Sequence, residues 1–224
     1  MIVKLSIYRY DPRSNNAPGY DSFEIDAEAG DTVLSALIKV YETIDPSLSF
    51  RFACGKVKCG ECGIMVNKSP CLACNKRIEQ EMIIEPLPNL PVIKDLVIDR
   101  NQAMHEIFEL APVLLKSRSI VHETGAVDSE TNDTYVALTT CFECLVCQSM
   151  CPVLQKRPGR FIGPLGLLWL SRANLIHAAH WEEVKDQVEM CSRCGECWKA
   201  CPSQTRFLEG VVTGLLDNLK INDK

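Results

Sequence analysis

The sequence predicts an α+β protein in two parts: a small N-terminal domain of strands around one helix, then an all-α domain. Three observations carry this. Residues 2–9, "IVKLSIYR", alternate apolar and polar as a half-buried strand does, and a helical period follows only after residue 31. Beyond about residue 99 the apolar spacing turns helical. The second half also repeats itself: "CFECLVCQSMCP" at 141–152 returns as "CSRCGECWKACP" at 191–202.

In order along the chain, the loop "DPRSNNAPG" separates the first strand from a second around "YDSFEID". Asp31 is expected to cap a helix whose inner face carries Val33, Leu34, Leu37, Ile38 and Tyr41. A cysteine- and glycine-rich loop follows, then short strands at "GIMVN" and "MIIEPL". The prolines of "PLPNLP" (86–91) place the linker, giving domains over 1–92 and 93–224. In the second domain Ile107, Phe108, Leu110, Leu114 and Leu115 are expected to share a helical face. Residues 117–134 read as a loop, and helices are expected near 164–178, 181–190 and 206–219.

Composition narrows the function. The chain has 224 residues, 46% hydrophobic and 24% charged, which suits one large or two small globular domains. A net charge of −5 argues against nucleic acid as a partner. No secretory or twin-arginine signal is visible at the start, and the longest apolar stretch, Phe161–Leu170, is far too short to span a bilayer. The expectation is a cytoplasmic chain, peripheral on the inner face of the cell membrane only through a partner. Thirteen cysteines in a reducing compartment then point to metal or redox chemistry rather than disulfides.

Both repeats read C-x2-C-x2-C-x3-C-P, the run that bacterial-type two-cluster ferredoxins use for [4Fe–4S] clusters. Three closely spaced thiolates wrap one turn around three corners of a cubane, and the fourth closes the other cluster. Cys141, Cys144, Cys147 and Cys201 are therefore expected to hold one [4Fe–4S] cluster. Cys151, Cys191, Cys194 and Cys197 are expected to hold the other. Paired C-x2-C units also occur in zinc ribbons, but those do not need the trailing Cys-Pro. In the first domain Cys54-x4-Cys59-x2-Cys62 has the plant-type [2Fe–2S] spacing. Its fourth ligand is Cys71 or Cys74. Gly55, Gly60 and Gly63 suit a loop that turns its N–H groups toward sulfur, and Arg51, Lys56 and Lys58 are candidates to offset cluster charge. The cysteine spacings resemble those of plant-type and bacterial-type ferredoxins, and this resemblance implies a β-grasp plant-type ferredoxin domain followed by an all-α bacterial-type ferredoxin domain.

Other chemistries lack their residues. There is no G-x-G-x-x-G after a strand, no Walker loop and no G-x-S-x-G. His105, His122, His177 and His180 are scattered and read as surface or internally satisfied residues. Trp169, Trp181 and Trp198 read as packing residues. No catalytic residue and no substrate site are assigned.

The stretches "AGDTVLSALIKV", "SLSFRFACGKVKCGECGIMVN…CLAC" and "CPVLQKRPGRFIGPLGL" are similar to the iron–sulfur subunits of succinate dehydrogenases and fumarate reductases. The resemblance covers nearly the whole chain and is weakest over 75–135. It implies that the fourth [2Fe–2S] ligand lies in the Leu-Ala-Cys tripeptide, which selects Cys74 and leaves Cys71 spare. It implies electron transfer between the FAD of a flavoprotein subunit and a further redox partner: a membrane anchor, a Cys-Cys-Gly-type subunit or a soluble carrier. In common quinone-linked members the second run lacks its middle cysteine and holds a [3Fe–4S] cluster. Here Cys194 fills that position, as in the non-classical branch that includes archaeal members, thiol:fumarate reductases and heterodisulfide reductase C-type subunits. An electron connector in another flavin-based complex is the rival within electron transfer. A colourless zinc scaffold is the rival outside it.

Overall fold

The computed structural model describes residues 1–14, 16–115, 129–176 and 185–205. Two compact units emerge. One is Met1–Arg100 with Phe142–Val146; the other is Asn101–Cys141 with Cys147–Lys224.

The first unit is built on a five-stranded sheet. In chain order its strands are β1 (Ile2–Arg9), β2 (Gly19–Asp26), β3 (Gly63–Val66), β4 (Ser69–Leu72) and β5 (Glu81–Glu85), and across the sheet they run β2-β1-β5-β3-β4. β1 pairs antiparallel with β2 and parallel with β5, and β5 pairs antiparallel with β3. The alternation read in β1 has a direct outcome: Val3, Leu5 and Ile7 are buried while Ile2 and Lys4 face out. Helix α1 (Val33–Thr43) adds Val33, Leu34, Ala36, Leu37 and Val40 to the buried core. Tyr41, expected on that face, is exposed, because a buried arc centred on Leu37 turns it outward.

The helix cap is Thr32 rather than Asp31. The Thr32 hydroxyl accepts from the Ser35 N–H at 3.2 Å, and the Ser35 hydroxyl accepts from the Thr32 N–H at 2.9 Å, a reciprocal capping box. Asp31 instead accepts from the Glu28 N–H at 2.9 Å and closes the preceding turn. β4 was not expected from the sequence, since Pro70 reads as a break. It pairs only with β3, and an edge strand tolerates a residue without an N–H. Asn67 and Lys68, both at positive φ, make the tight turn between them.

The proline run does not end this unit. A short hairpin, β6 (Val92–Lys94) and β7 (Val97–Ile98), follows it and stays in the first unit, whose edge is Arg100 rather than residue 92. The hairpin is fastened by Asp95, only 1% exposed. Its carboxylate accepts from the N–H groups of Tyr10 (3.0 Å) and Ser49 (2.9 Å) and from Arg9 Nε (3.2 Å).

The second unit is helical: α2 (Arg100–Leu110), α3 (Ser129–Leu138), α4 (Val146–Ser149), α5 (Pro152–Lys156), α6 (Gly163–Ile176), α7 (Lys185–Glu189) and α8 (Glu196–Lys199). α2 stops at Leu110, ahead of Pro112, so the expected common face does not continue to Leu115, which is exposed. The loop expected over 117–134 is helical from Ser129 onward. The helix expected at 206–219, and 177–184 of the expected 164–178 and 181–190 helices, lie outside the described residues. Trp169 packs as expected, stacked on Phe108 with ring centroids 5.2 Å apart. Trp198 differs, being 40% exposed. Among the described residues no helix is long and apolar enough to cross a membrane.

Candidate functional site

The loop between Phe50 and β3 brings Cys54, Cys59 and Cys62 together. Gly55, Val57 and Gly60 all have positive φ, and this coils the backbone around the sulfurs. The N–H groups of Lys56 and Cys59 donate to Cys54 Sγ at 3.3 and 3.4 Å, and the Cys54 N–H points at Cys59 Sγ at 3.5 Å. Hydrogen bonds from the backbone N–H groups of Lys56, Cys59 and Lys58 pull the Cys54 thiol down to about 6. Lysines expected to act through their charge therefore contribute backbone donors.

Cys62 and Cys74 are both buried, and Cys74 lies close enough to affect the Cys62 thiol. Burial pushes the Cys62 thiol up to about 12, so a positive metal centre is what would let it ionise. The Ala73 N–H donates to Cys62 O at 2.9 Å, which sets the Leu-Ala-Cys tripeptide against the loop. Cys71 lies in β4 opposite Ile64, and burial pushes its thiol up to about 12 as well. An exposed aromatic strip borders this loop: Tyr41 meets Phe50 edge-on, and Phe50 stacks on Phe52.

The two repeats fold alike. Each has an irregular first half, then one helical turn (α4 or α8), then its last cysteine. Their left-handed residues fall at equivalent positions, Glu143 and Leu145 in one copy, Arg193 and Gly195 in the other. Glu143, Leu145 and Arg193 carry side chains in a region that disfavours them, a cost of about 1 kcal/mol or more each that concentrates at functional sites.

Cys151, Cys191, Cys194 and Cys197 line one cavity of about 350 Å³, with Phe161, Pro164 and Leu167 in its apolar wall. Burial pushes the Cys197 thiol up to about 12, and neighbouring Cys191, Cys151 and Cys194 reinforce it. Among the described residues, no three His, Cys, Asp or Glu side chains converge as a single metal ion requires. These four cysteines instead surround a volume, the arrangement a polynuclear cluster fits. The fourth cysteine of the first run is thus brought to the three leading cysteines of the second.

For the remaining set, Cys144 is buried in the first unit, while Cys141, Cys147 and Cys201 belong to the second. Within the second unit Cys201 Sγ lies 3.2 Å from Ser203 Oγ, and Thr140, next to Cys141, lies 3.5 Å from Thr205.

Two buried glutamines escaped sequence reasoning. Gln148 donates to Ile162 O (3.1 Å) and accepts from the Leu165 N–H (3.0 Å), while Gln187 accepts from the Ile162 N–H (2.9 Å). They clamp "FIGPL" beside the four-cysteine cavity. No spacing rule marks a glutamine for this task; only the quoted run itself hinted that the segment mattered. Of the histidines, His105 sits on the surface 3.4 Å from Glu109; His122, His177 and His180, with Trp181, lie outside the described residues.

Comparison with known proteins gives a consistent result. Residues 4–105 match a 2Fe-2S iron-sulfur cluster binding domain, and residues 137–205 match a 4Fe-4S dicluster domain. The succinate dehydrogenase iron-sulfur subunit of Coxiella burnetii is 30% identical, over 89% of this chain and 90% of its own. The fumarate reductase iron-sulfur subunit of Haemophilus influenzae is 27% identical over 98% and 94%. A chain of the Mycobacterium smegmatis Sdh1 complex in the apo form superposes with a TM-score of 0.82 over 99% of this chain and 96% of its own, at 19% identity. That likeness gives the α+β fold class, a strand-rich ferredoxin domain followed by a helical one.

Proposed function

Since the chain belongs to the family of iron–sulfur subunits of succinate dehydrogenases and fumarate reductases, we propose that it conducts electrons between the FAD of a flavoprotein subunit and a second redox partner. The route is one [2Fe–2S] centre and two [4Fe–4S] centres. Cys54, Cys59, Cys62 and Cys74 hold the first. Cys141, Cys144, Cys147 and Cys201 hold the next, and Cys151, Cys191, Cys194 and Cys197 the last. When bound, the clusters supply one-electron steps.

The chain's own residues hold and tune them. The N–H groups of Lys56, Lys58 and Cys59 favour a charged Cys54 sulfur, which raises its worth as a ligand. Phe161, Pro164 and Leu167 keep water from one side of the four-cysteine cavity. Substrate chemistry, the interconversion of succinate and fumarate or of a related unsaturated acid, belongs to the flavoprotein. The exposed aromatic strip of Tyr41, Phe50 and Phe52 supports docking of the flavoprotein beside the [2Fe–2S] loop. The further partner, an anchor, a Cys-Cys-Gly-type subunit or a soluble carrier, meets the second domain.

The single observation that carries this reading is the cavity bounded by Cys151 and the three leading cysteines of the second run, Cys194 included. A complete set of four favours [4Fe–4S] over [3Fe–4S], and with it the non-quinone branch. The test is EPR with iron and acid-sulfide counts on the anaerobically purified complex, oxidised and reduced. A [2Fe–2S] signal with two interacting reduced [4Fe–4S] centres is expected. An oxidised [3Fe–4S] signal in fresh material would remove Cys194 from the ligand set, and zinc without iron would overturn electron transfer altogether.

A further inference from the structure

Arg100 is a charged residue in an unusual place. It is 8% exposed and opens α2, yet it belongs to the first unit. Its guanidinium donates from Nη2 to Glu143 O at 2.8 Å and from Nη1 to Gly60 O at 3.4 Å. Its Nε lies 3.7 Å from Glu61 Oε1. Gly60 and Glu61 stand between Cys59 and Cys62; Glu143 stands between Cys141 and Cys144. One side chain therefore grips two cysteine loops far apart in sequence.

Those loops are in intimate contact. A Cβ on Gly60 would lie 2.3 Å from Phe142 O and 3.0 Å from Cys144 Cβ, and one on Gly63 would lie 3.0 Å from Cys144 O. Any residue larger than glycine would hold the loops apart. Gly60 and Glu143 both have positive φ, and each gives its carbonyl to Arg100. A buried carbonyl left without a donor is costly, so the guanidinium stabilises both left-handed turns at once. A planar fork reaches two carbonyls in fixed directions, which an ammonium does not.

The charge has its own consequence. Glu61 offsets it, but Glu61 also faces Arg51, whose Nη1 lies 3.6 Å away and whose side chain is 44% exposed. Two cations share the Glu61 carboxylate. Of the two, Arg100 is the buried one and is screened less by solvent and salt. A fixed positive charge favours the more negative, reduced form of a neighbouring redox group.

We propose that Arg100 is a positioning residue for electron transfer between the first two clusters: its fork fixes the [2Fe–2S] loop against the 142–146 segment, and its buried charge raises the [2Fe–2S] reduction potential. This rests on the cluster assignment above. Wild-type complex lacking a [2Fe–2S] signal would sink that assignment, whereas the variants below address Arg100 alone.

The experiment is potentiometric EPR on anaerobically purified complexes carrying Arg100→Met, Arg100→Lys and Glu61→Gln, with iron and sulfide counts for each. In Arg100→Met the [2Fe–2S] reduction constant falls about ten-fold, ~59 mV for one electron. Arg100→Lys restores most of that constant but not the wild-type magnetic broadening between the first two centres. Glu61→Gln shifts the constant the opposite way, because it removes the offsetting charge. Unchanged constants in a fully loaded Arg100→Met complex would overturn the proposal, as would equal losses in Arg100→Met and Arg100→Lys. If Arg100→Met does not retain its clusters, Glu61→Gln decides: a rise sustains the charge role and no change refutes it.

Discussion

Two cysteines three residues apart, Cys71 and Cys74, compete for one place in the ligand set, and their surroundings separate them. Cys74 is buried beside Cys62, whereas Cys71 is fixed in β4 by its pairing with Ile64. Cys74→Ser is therefore expected to change the g-values or abolish the [2Fe–2S] EPR signal, while Cys71→Ser leaves it intact; the reverse pattern would exchange their roles. At this scale much was legible, because cluster chemistry demands thiolates at set spacings and a sequence displays spacing directly. The glycines were legible too, but only in part. Turning inward was expected of Gly60; its contact with Phe142, eighty-two residues on, was not, since it depends on two loops meeting. Arg100 was invisible for the same reason. Nothing in "VIDRNQAM" distinguishes a buried arginine from an exposed one at a helix start.

The secondary elements show where local rules suffice and where tertiary context overrides them. β1 and α1 declare themselves by period, 2 and 3.6, because each has one buried face. β4 and the β6–β7 hairpin do not, being two to four residues long and interrupted or preceded by proline. Their stability comes from partners elsewhere. For the hairpin that partner is the Asp95 carboxylate with its two backbone donors and Arg9 Nε. Asp95→Ala leaves the Tyr10 and Ser49 N–H groups without their acceptor, while Arg9 keeps Asp21, Asp45 and Ser47. The expected loss is about 1–3 kcal/mol for each stranded donor, measured by anaerobic thermal unfolding; a total change below ~1 kcal/mol would show the network to be dispensable. Asp31 and Thr32 make the same point on a smaller scale. Both are good caps by type, and the turn at Glu28 decides which is used.

Across the molecule, the β-grasp unit and the helical unit were both legible as classes, since a change of period and a repeated cysteine run mark them. The placement of Phe142–Val146 with the first unit was not legible, because it follows from packing against Gly60 and Gly63 rather than from any local pattern. Of the thirteen cysteines, all within the described residues, Cys194 alone is exposed. Oxidants reach an exposed cysteine first, and the ligand set proposed above places Cys194 at the last centre. Brief exposure to air is expected to produce an oxidised [3Fe–4S] signal from the last centre before the other two decay, and prompt anaerobic repair with iron and thiol should reverse it. Simultaneous bleaching of all three would contradict that order. The cavity that joins Cys151 to Cys191, Cys194 and Cys197 also has a meaning for biosynthesis. Cys151 leaves the ribosome 46 residues before Cys197. With the ligand set proposed above, Cys151 waits as a free thiol on a nascent chain until the second repeat emerges, so cluster insertion at this centre follows translation of that repeat. The loop over residues 54–74 carries its own four thiols, but Gly60 and Gly63 complete their packing only when residues 142–146 arrive.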